Sequence, residues 1–155
     1  MIAILDYGSG NLRSALRAFE NTGVEVKVTN NSTVIKESAG LVIPGVGAFG
    51  ACMEQLEAVG GGEIVRNFYQ SGKAIFGICV GMQLLAERGL EYETSRGLGW
   101  IAGDTVRIEP KDPMLKIPHM GWNTLTRKRT HPVLENIPET LHAYFVHSYH
   151  VKSIP

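Results

Sequence analysis

The chain has 155 residues, of which 44% are hydrophobic and 19% charged, a balance typical of a globular domain rather than a disordered segment. Fifteen basic residues balance fifteen acidic ones, so no net charge favours binding to nucleic acid or to an anionic membrane. Two cysteines and five dispersed histidines supply neither a disulfide framework nor a zinc site. No apolar run approaches the roughly 18 residues of a membrane span. We therefore expect a cytoplasmic protein without a metal, a cofactor or a nucleic-acid partner.

The pattern of apolar residues predicts alternating strands and helices in the first part of the chain. Short apolar or alternating runs predict strands at 2–5, 24–28, 39–45 and 73–78, all of them buried except the second. Helical spacing and nearby breakers such as Gly23 predict helices at 11–22, 49–59, 62–71 and 80–88. This order favours an α/β fold with a mostly parallel sheet flanked by helices.

After about residue 98 the pattern changes to consecutive strands with proline-rich connections. The strands are predicted within "GWIAGDTVRIE" at 99–109, "HMGWNTLT" at 119–126 and "HAYFVHSYHV" at 142–151. No internal repeat and no long linker divides the chain. We therefore expect residues 1–155 to form a single domain.

Cys79 lies between Gly77 and Gly81, where an apolar run changes to a helical pattern. A lone cysteine is often a small buried side chain, and paired glycines often mark a tight turn. In parallel α/β sheets, however, ligands bind beyond the carboxyl ends of the strands. Glycines on both sides of a residue, because they lack a Cβ, allow the sharp strand-to-helix turn that exposes a nucleophile. We interpret Cys79 as a candidate nucleophile. The N-terminus of the following helix would stabilise the thiolate form of its side chain.

Acyl transfer to a cysteine also needs N–H donors directed at the developing oxyanion. The N–H of Val80 directly follows the candidate nucleophile. A second donor is expected from "PGVGAFG" at 44–50, which closes the preceding buried strand and whose glycines allow close approach to a substrate. A glycine-rich loop alone is more often a simple turn. Two such loops with one cysteine between them favour a reactive thiol.

Five segments together resemble the class I, triad-type glutamine amidotransferases. "GICVGMQLL" is similar to the nucleophile motif of that class. The others narrow the resemblance to the glutaminase subunits of imidazole glycerol phosphate synthase: "DYGSGN" at 6–11, "PGVGAFG" at 44–50, "HMGWN" at 119–123 and "YFVHSYH" at 144–150. They occur in the family's order over essentially the whole chain. The resemblance implies the flavodoxin-like fold of this class.

The resemblance also implies an activity and a partner. Glutamine would be hydrolysed to glutamate and ammonia, and the ammonia would pass through a channel to a (β/α)8-barrel cyclase subunit. The two subunits would form a heterodimer that makes imidazole glycerol phosphate in histidine biosynthesis. By the same resemblance, Cys79 would form a glutamyl thioester. Val80 and the Val46–Gly47 peptide would supply the oxyanion donors.

Four residues match family positions that bind the substrate glutamine. Gln83 lies four residues after Cys79 and so on the same face of the predicted helix. His147, Ser148 and Tyr149 match the segment that lines the glutamine site. Without the resemblance, Gln83 would be interpreted as an exposed surface glutamine, and the segment around His147 as an ordinary strand.

Four further residues match the surface that faces the cyclase subunit. Tyr7 and Asn11 belong to the first loop, and Met120 and Trp122 belong to "HMGWN". Plainer interpretations remain open for two of them. Trp122 is compatible with a core position, and Asn11 with a helix cap.

The chain departs from the family at the general base. The family uses a His and a Glu spaced H-x-E, located after the segment at 144–150. None of the five histidines, at 119, 131, 142, 147 and 150, is followed by Glu two residues later. We expect that the sequence lacks the C-terminal segment that carries this pair, and that these 155 residues alone show little glutaminase activity.

Three alternatives remain from the sequence. The first is a catalytically incomplete module that binds glutamine or the partner. The second is a redox-sensing thiol at Cys79 on a flavodoxin-like fold. The third is the glutaminase subunit of another amidotransferase, against which "DYGSGN" and "HMGWN" argue because they match the partner-specific surface.

Overall fold

The computed structural model describes residues 1–138 and 140–154. They form two compact units, one containing Met1–Val106 with the residues from Val151 onward, and the other Arg107–His150. One domain can contain two such units, so the expected single domain stays a prediction.

In chain order, the elements are β1 Ile2–Leu5, α1 Leu12–Glu20, β2 Val26–Thr29, α2 Ser32–Glu37, β3 Gly40–Ile43, α3 Phe49–Ala58, α4 Gly61–Gln70, β4 Ala74–Gly77, α5 Val80–Gln83, β5 Ala86–Glu91, β6 Glu93–Arg96, β7 Ile101–Arg107, β8 His119–Thr124, a 3-10 turn Pro132–Leu134, β9 His142–His147 and β10 Tyr149–Ser153.

The larger unit contains a parallel sheet with strand order β2-β1-β3-β4. This order is that of flavodoxin-like folds. The central strand β3 is buried at every position, as its unbroken apolar sequence predicts. Helices α2, α3 and α4 pack on one face of the sheet and α1 on the other. The predicted α/β fold with a mostly parallel sheet is confirmed.

Local capping explains where two of the helices begin. The side chain of Asn11 accepts a hydrogen bond of 3.1 Å from the Ser14 N–H, so the helix-cap interpretation of Asn11 is confirmed. The side chain of Asn31 accepts from the N–H groups of Thr33 and Val34 at the start of α2. This short helix was not predicted, because six residues give too little periodicity to recognise.

The predicted helix over 80–88 is wrong in its second half. Helix α5 ends at Gln83, and residues from Ala86 onward form strand β5. Ala86 pairs with Ile101 of the parallel strand β7, and Arg88 pairs with Asp104. These partners lie about sixteen residues away, and they override the helical preference of the local sequence.

The predicted burial of the strand at 73–78 is also wrong. Among the described residues, β4 pairs only with β3 and forms an edge of the parallel sheet. Phe76 is 54% exposed, although its ring contacts the edge of the Phe19 ring at 6.2 Å between centroids. A sequence of apolar residues does not distinguish a central strand from an edge strand.

A second sheet has strand order β10-β7-β5-β6, and a two-stranded antiparallel hairpin pairs β8 with β9. The predicted strands after residue 98 are confirmed, with a break at Ser148 that divides 142–151 into β9 and β10. Within residues 1–138 and 140–154, no helix combines the length and the hydrophobicity needed to cross a membrane.

Candidate active site

Cys79 occupies a sharp turn between β4 and α5, and its side chain is exposed. Its backbone has φ 54° and ψ −119°, a conformation that side-chain-bearing residues rarely adopt. The turn is held by the Ile78 N–H, which donates to the Ile43 carbonyl at 2.9 Å, and by the N–H groups of Met82 and Gln83, which donate to the Cys79 carbonyl. A strained, exposed thiol at the end of a parallel strand has the geometry of a nucleophile elbow.

The two glycines that flank Cys79 are required by close backbone packing. A Cβ on Gly77 would lie 2.6 Å from the Met82 nitrogen, and one on Gly81 would collide with the Ile43 carbonyl. Neither neighbour is a flexible side-chain end, so the backbone itself would have to move. The sequence prediction that these glycines permit the turn is therefore confirmed in its geometry.

The loop that follows β3 lies directly against the first turn of α5. A Cβ on Gly45 would be 2.5 Å from the Gly81 nitrogen and 3.0 Å from the Val80 carbonyl carbon. The two glycine-rich strand ends thus meet, as expected from the parallel sheet. This contact brings the loop that contains Val46 and Gly47 to the residue that follows the candidate nucleophile.

The backbone N–H and carbonyl of Val46 are both hydrogen-bonded to buried side chains. Its N–H donates to the Ser9 hydroxyl at 3.1 Å, and its carbonyl accepts from the Ser9 hydroxyl at 3.0 Å and from the Cys52 thiol at 3.4 Å. In a trans peptide the carbonyl and the following N–H point in opposite directions. The Gly47 N–H therefore points away from Ser9 and Cys52, while the Val46 N–H is already used.

Val80 is the first residue of α5. An N–H in this position has no acceptor within its own helix, so it is available to a group bound at the turn. Of the predicted oxyanion donors, the geometry thus favours the N–H groups of Val80 and Gly47. The N–H of Val46 would first have to leave the Ser9 hydroxyl.

Tyr7 lies beneath this loop rather than on a surface. Its side chain is 2% exposed, and its hydroxyl donates to the Pro44 carbonyl. Burial raises the pKa of the Tyr7 hydroxyl well above its usual value, so the group stays a protonated donor. Tyr7 therefore contributes no exposed area to the partner surface on which the family resemblance placed it.

Gln83 lies one helical turn after Cys79 and is 6% exposed. The alternative that it is an ordinary surface glutamine is therefore wrong. Its backbone carbonyl accepts a hydrogen bond of 3.3 Å from the Thr105 hydroxyl. A buried amide one turn from an exposed nucleophile is compatible with the predicted contact to glutamine.

The remaining predicted glutamine-binding residues belong to the Arg107–His150 unit. The His147 Nδ1 lies 2.9 Å from the Tyr149 carbonyl oxygen, to which it donates when it carries the proton. The Ser148 carbonyl accepts from the Ile108 N–H at 2.8 Å. These bonds fix the backbone of the segment, and its role in binding glutamine stays a prediction.

Three residues outside the predicted set contact the loop and the helix beside Cys79. The Glu91 carboxylate accepts from the Phe49 N–H at 2.9 Å, at the start of the helix that follows this loop. Ser9 and Cys52 bind Val46. Glu91 was missed because the first half of its strand was predicted as a helix, and no sequence spacing relates Ser9 to Cys52.

Met120 and Trp122 lie on an exposed face of the β8–β9 hairpin. Strand alternation places them with Tyr144 and Val146, their partners across the hairpin. Trp122 is 71% exposed and meets the Tyr144 ring edge-to-face at 5.5 Å, so a core position for this tryptophan is excluded. Within the described part of the chain, no group of three or more metal-ligating side chains is assembled.

Comparison with known proteins identifies the class to which this site belongs. The model of the glutamine amidotransferase class-I family matches residues 3–155. A solved structure described as a glutamine amidotransferase superimposes with a TM-score of 0.75 over 99% of this chain and 75% of that chain, at 19% identity. The chain is therefore a member of the class I glutamine amidotransferase family, and the fold expected from the resemblance is confirmed.

Curated relatives define the family more narrowly. The chain is 48% identical to the imidazole glycerol phosphate synthase subunit HisH of Rhizobium meliloti, over 97% of this chain and 74% of the relative. It is 49% identical to the HisH subunit of Rhodopseudomonas palustris, with the same coverage. The chain belongs to the HisH subunits of imidazole glycerol phosphate synthase, and the predicted family and glutaminase-subunit function are confirmed.

Proposed function

We propose that the Cys79 thiolate attacks the side-chain amide carbon of glutamine. The amide carbonyl becomes an oxyanion, the C–N bond then breaks, and ammonia leaves after receiving a proton. Water attacks the resulting glutamyl thioester and releases glutamate and the free thiol. The observation that carries this assignment is the exposed Cys79 in the strained turn between β4 and α5.

The oxyanion is bound by the N–H groups of Val80 and Gly47. The contact between Gly45 and the Val80–Gly81 backbone supports this assignment, because it holds the two loops together. The orientation of the Val46 carbonyl toward Ser9 and Cys52 supports Gly47 as the second donor. Such donors stabilise charge that develops only in the transition state.

The buried amide of Gln83 and the backbone of His147, Ser148 and Tyr149 bind the rest of the glutamine substrate. The position of Gln83 one turn from Cys79 supports its part of this assignment. Within residues 1–155 no H-x-E pair occurs, so the role of general base is not assigned to any of their histidines.

The protein assembles with a (β/α)8-barrel cyclase subunit in the cytoplasm and delivers ammonia to it. The exposed apolar face of the hairpin, formed by Met120, Trp122, Tyr144 and Val146, binds that subunit. Exposed aromatic residues of this kind are enriched where interfaces form. Asn11 contributes an exposed side chain from the first loop in addition to capping α1.

An active-site label tests the nucleophile. The natural protein, purified with its cyclase subunit, is incubated with an electrophilic glutamine analogue with and without excess glutamine, and the intact mass is recorded. We expect one adduct, located on Cys79 by peptide mapping, that excess glutamine prevents. The Cys79→Ser variant should remain unlabelled and lose at least about 10⁴-fold in kcat.

Other results of this experiment contradict the proposal. An adduct that glutamine does not prevent would indicate a generally reactive thiol and favour the redox-sensing alternative. An unlabelled parent protein without glutamine hydrolysis would favour a binding module.

A further inference from the structure

The tip of the β5–β6 hairpin is both strained and exposed. Glu91 pairs with Glu93 across the hairpin, so Tyr92 alone makes the turn. Its backbone has φ 60°, a left-handed conformation that suits glycine and strains a residue with a side chain. The Tyr92 side chain is 94% exposed, and within residues 1–138 and 140–154 it makes no hydrogen bond or ring contact. Backbone strain that no contact offsets is typical of a residue kept for function.

The hairpin is held closely against the start of α3. The Glu91 carboxylate accepts from the Phe49 N–H at 2.9 Å. A Cβ on Gly89 would collide with the Phe49 ring, so the β5 backbone lies directly on that ring. On the neighbouring strand, the Ser95 hydroxyl oxygen lies 2.8 Å from the position of a Cβ on Gly50. Contacts from both strands therefore fix the position of the tip relative to α3.

The tip and Cys79 lie at the same edge of the parallel sheet. Cys79 follows the carboxyl end of β4, and α3 begins after the loop that follows the carboxyl end of β3. That loop packs through Gly45 on the first turn of α5 and leads into Phe49. One short loop thus separates the exposed thiol from the residue on which the hairpin rests. The tip therefore borders the mouth of the candidate active site.

We propose that Tyr92 is a substrate-binding residue whose ring covers the amino-acid end of glutamine at the mouth of the site. The inference rests on the proposed function, because Cys79 determines only where the amide group of glutamine lies. The α-carbon of glutamine is several bonds from the amide carbon, so the α-ammonium and α-carboxylate groups extend from the thiol toward the rim. An aromatic ring at the rim attracts an ammonium group through its π face. The strained turn keeps the ring at that place.

Kinetics of the natural protein with its cyclase subunit test this inference. We expect Tyr92→Ala to raise KM for glutamine about five- to tenfold, the range of a cation–π contact that is partly removed from water. kcat should stay within about twofold, because a contact made equally in the bound substrate and in the transition state affects binding alone. Tyr92→Phe, which keeps the ring, should behave like the parent. Tyr69→Ala, which removes a half-exposed tyrosine from α4, is the matched control and should leave both constants unchanged.

Tyr92→Gly separates the substrate contact from the strain. Glycine adopts a positive φ without strain, so Tm in thermal unfolding should rise by about 2–4 °C. KM should rise as much as in Tyr92→Ala. A variant that is more stable and yet needs more glutamine cannot owe its higher KM to damaged folding. A fall in Tm alongside the rise in KM would overturn the inference in favour of a structural role.

A binding measurement without turnover completes the test. Cys79→Ser, with the cyclase subunit, is titrated with glutamine by calorimetry, with and without Tyr92→Ala. We expect Tyr92→Ala to raise Kd by the same factor as KM. An unchanged Kd would overturn the inference. A loss in Tyr92→Phe as large as that in Tyr92→Ala would also overturn it, because the contact would then belong to the hydroxyl and not to the ring.

Failure of the inference and failure of the proposed function give different results. If the parent hydrolyses glutamine and forms the glutamine-protected adduct while the Tyr92 variants keep the KM of the parent, only the inference fails. If the parent itself does neither, the proposed function fails, and the inference fails with it.

Discussion

The β4–α5 turn and the β8–β9 hairpin both combine glycine with apolar residues, yet they use them in opposite ways. At the turn, the backbones of Gly77 and Gly81 pack so closely on their neighbours that no side chain fits. On the hairpin, Trp122 and its cross-strand partner Tyr144 face solvent. The first arrangement fixes the backbone around the exposed Cys79 thiol in one position, and the second leaves apolar side chains exposed to solvent.

The comparison shows how chemistry and recognition place different demands on a chain. A nucleophile must be held to a fraction of an ångström, and close backbone packing provides that restraint. A recognition surface needs exposed side chains whose burial occurs only on binding. Substitutions at the turn should therefore affect folding, while substitutions on the hairpin face should affect association.

The largest expected effect is that of Gly81→Ala. The new Cβ would collide with the Ile43 carbonyl, so the turn or the central strand must move. We expect a loss of about 3 kcal/mol or more in the free energy of unfolding, measured by urea denaturation. Glutamine hydrolysis should be lost as well.

Gly40→Ala is the matched control for this substitution. There the nearest atom to a new Cβ is the flexible end of the Ile2 side chain, at 3.0 Å. We expect a change of less than about 1 kcal/mol. Equal effects of the two substitutions would contradict the close backbone packing at the turn.

A substitution on the hairpin face should affect association with the cyclase subunit rather than folding. Trp122→Ala should weaken binding to the cyclase subunit by about 2 kcal/mol, or about 30-fold in Kd, as for an aromatic anchor at an interface. Titration calorimetry measures the affinity. The free energy of unfolding should change by less than about 0.5 kcal/mol, because Trp122 is exposed.

Tyr69→Ala serves as the control, since Tyr69 is a half-exposed aromatic residue on α4, in the other compact unit. It should leave the affinity unchanged. Unchanged binding by Trp122→Ala would remove the hairpin face from the proposed interface.

The sequence predicts the parallel sheet well because each of its strands is a short segment that is either uninterrupted and apolar or, in β2, alternating. It also predicts the sharp turn at Cys79, because two glycines beside a cysteine at a strand end have a backbone consequence that can be reasoned from residue types alone. The wrong predictions concern segments whose structure depends on contacts with residues distant in sequence. Residues 86–91 form a strand because they pair with β7, and β4 is exposed because of its place at the sheet edge.

In the candidate site too, short local motifs were recognised from the sequence, whereas contacts between residues distant in sequence were not. The resemblance of short motifs assigns the nucleophile and the loop, but it does not distinguish the Val46 N–H from that of Gly47. The Val46 backbone is bound by Ser9 and Cys52, which are 43 residues apart and meet only in the folded chain. The family resemblance likewise placed Tyr7 at a surface, whereas burial and a hydrogen bond to Pro44 hold it beneath the loop.

Tyr7→Phe tests the support beneath the oxyanion loop. The substitution keeps the ring but removes the donor to the Pro44 carbonyl. A buried carbonyl left without its donor should reduce the free energy of unfolding by about 1–3 kcal/mol. Tyr69→Phe, at a half-exposed position, should reduce it by less than about 0.5 kcal/mol. Equal effects in urea denaturation would mean that the buried hydroxyl contributes nothing specific.

The smallest expected effect is that of Asp104→Asn, in the exposed ion pair between β5 and β7. Arg88 donates two hydrogen bonds to the Asp104 carboxylate, and these hold the pKa of that carboxyl below its usual value of 3.8. Because the folded state favours the charged form, the stabilisation is present above 3.8 and is lost as the pH falls through the lowered pKa. The parent should therefore be slightly more stable than Asp104→Asn at neutral pH, and the difference should vanish in stronger acid and shrink in high salt. Thermal unfolding followed by circular dichroism measures both dependences. A difference that persists in acid would mean that the asparagine disturbs the packing of the two strands rather than an ion pair.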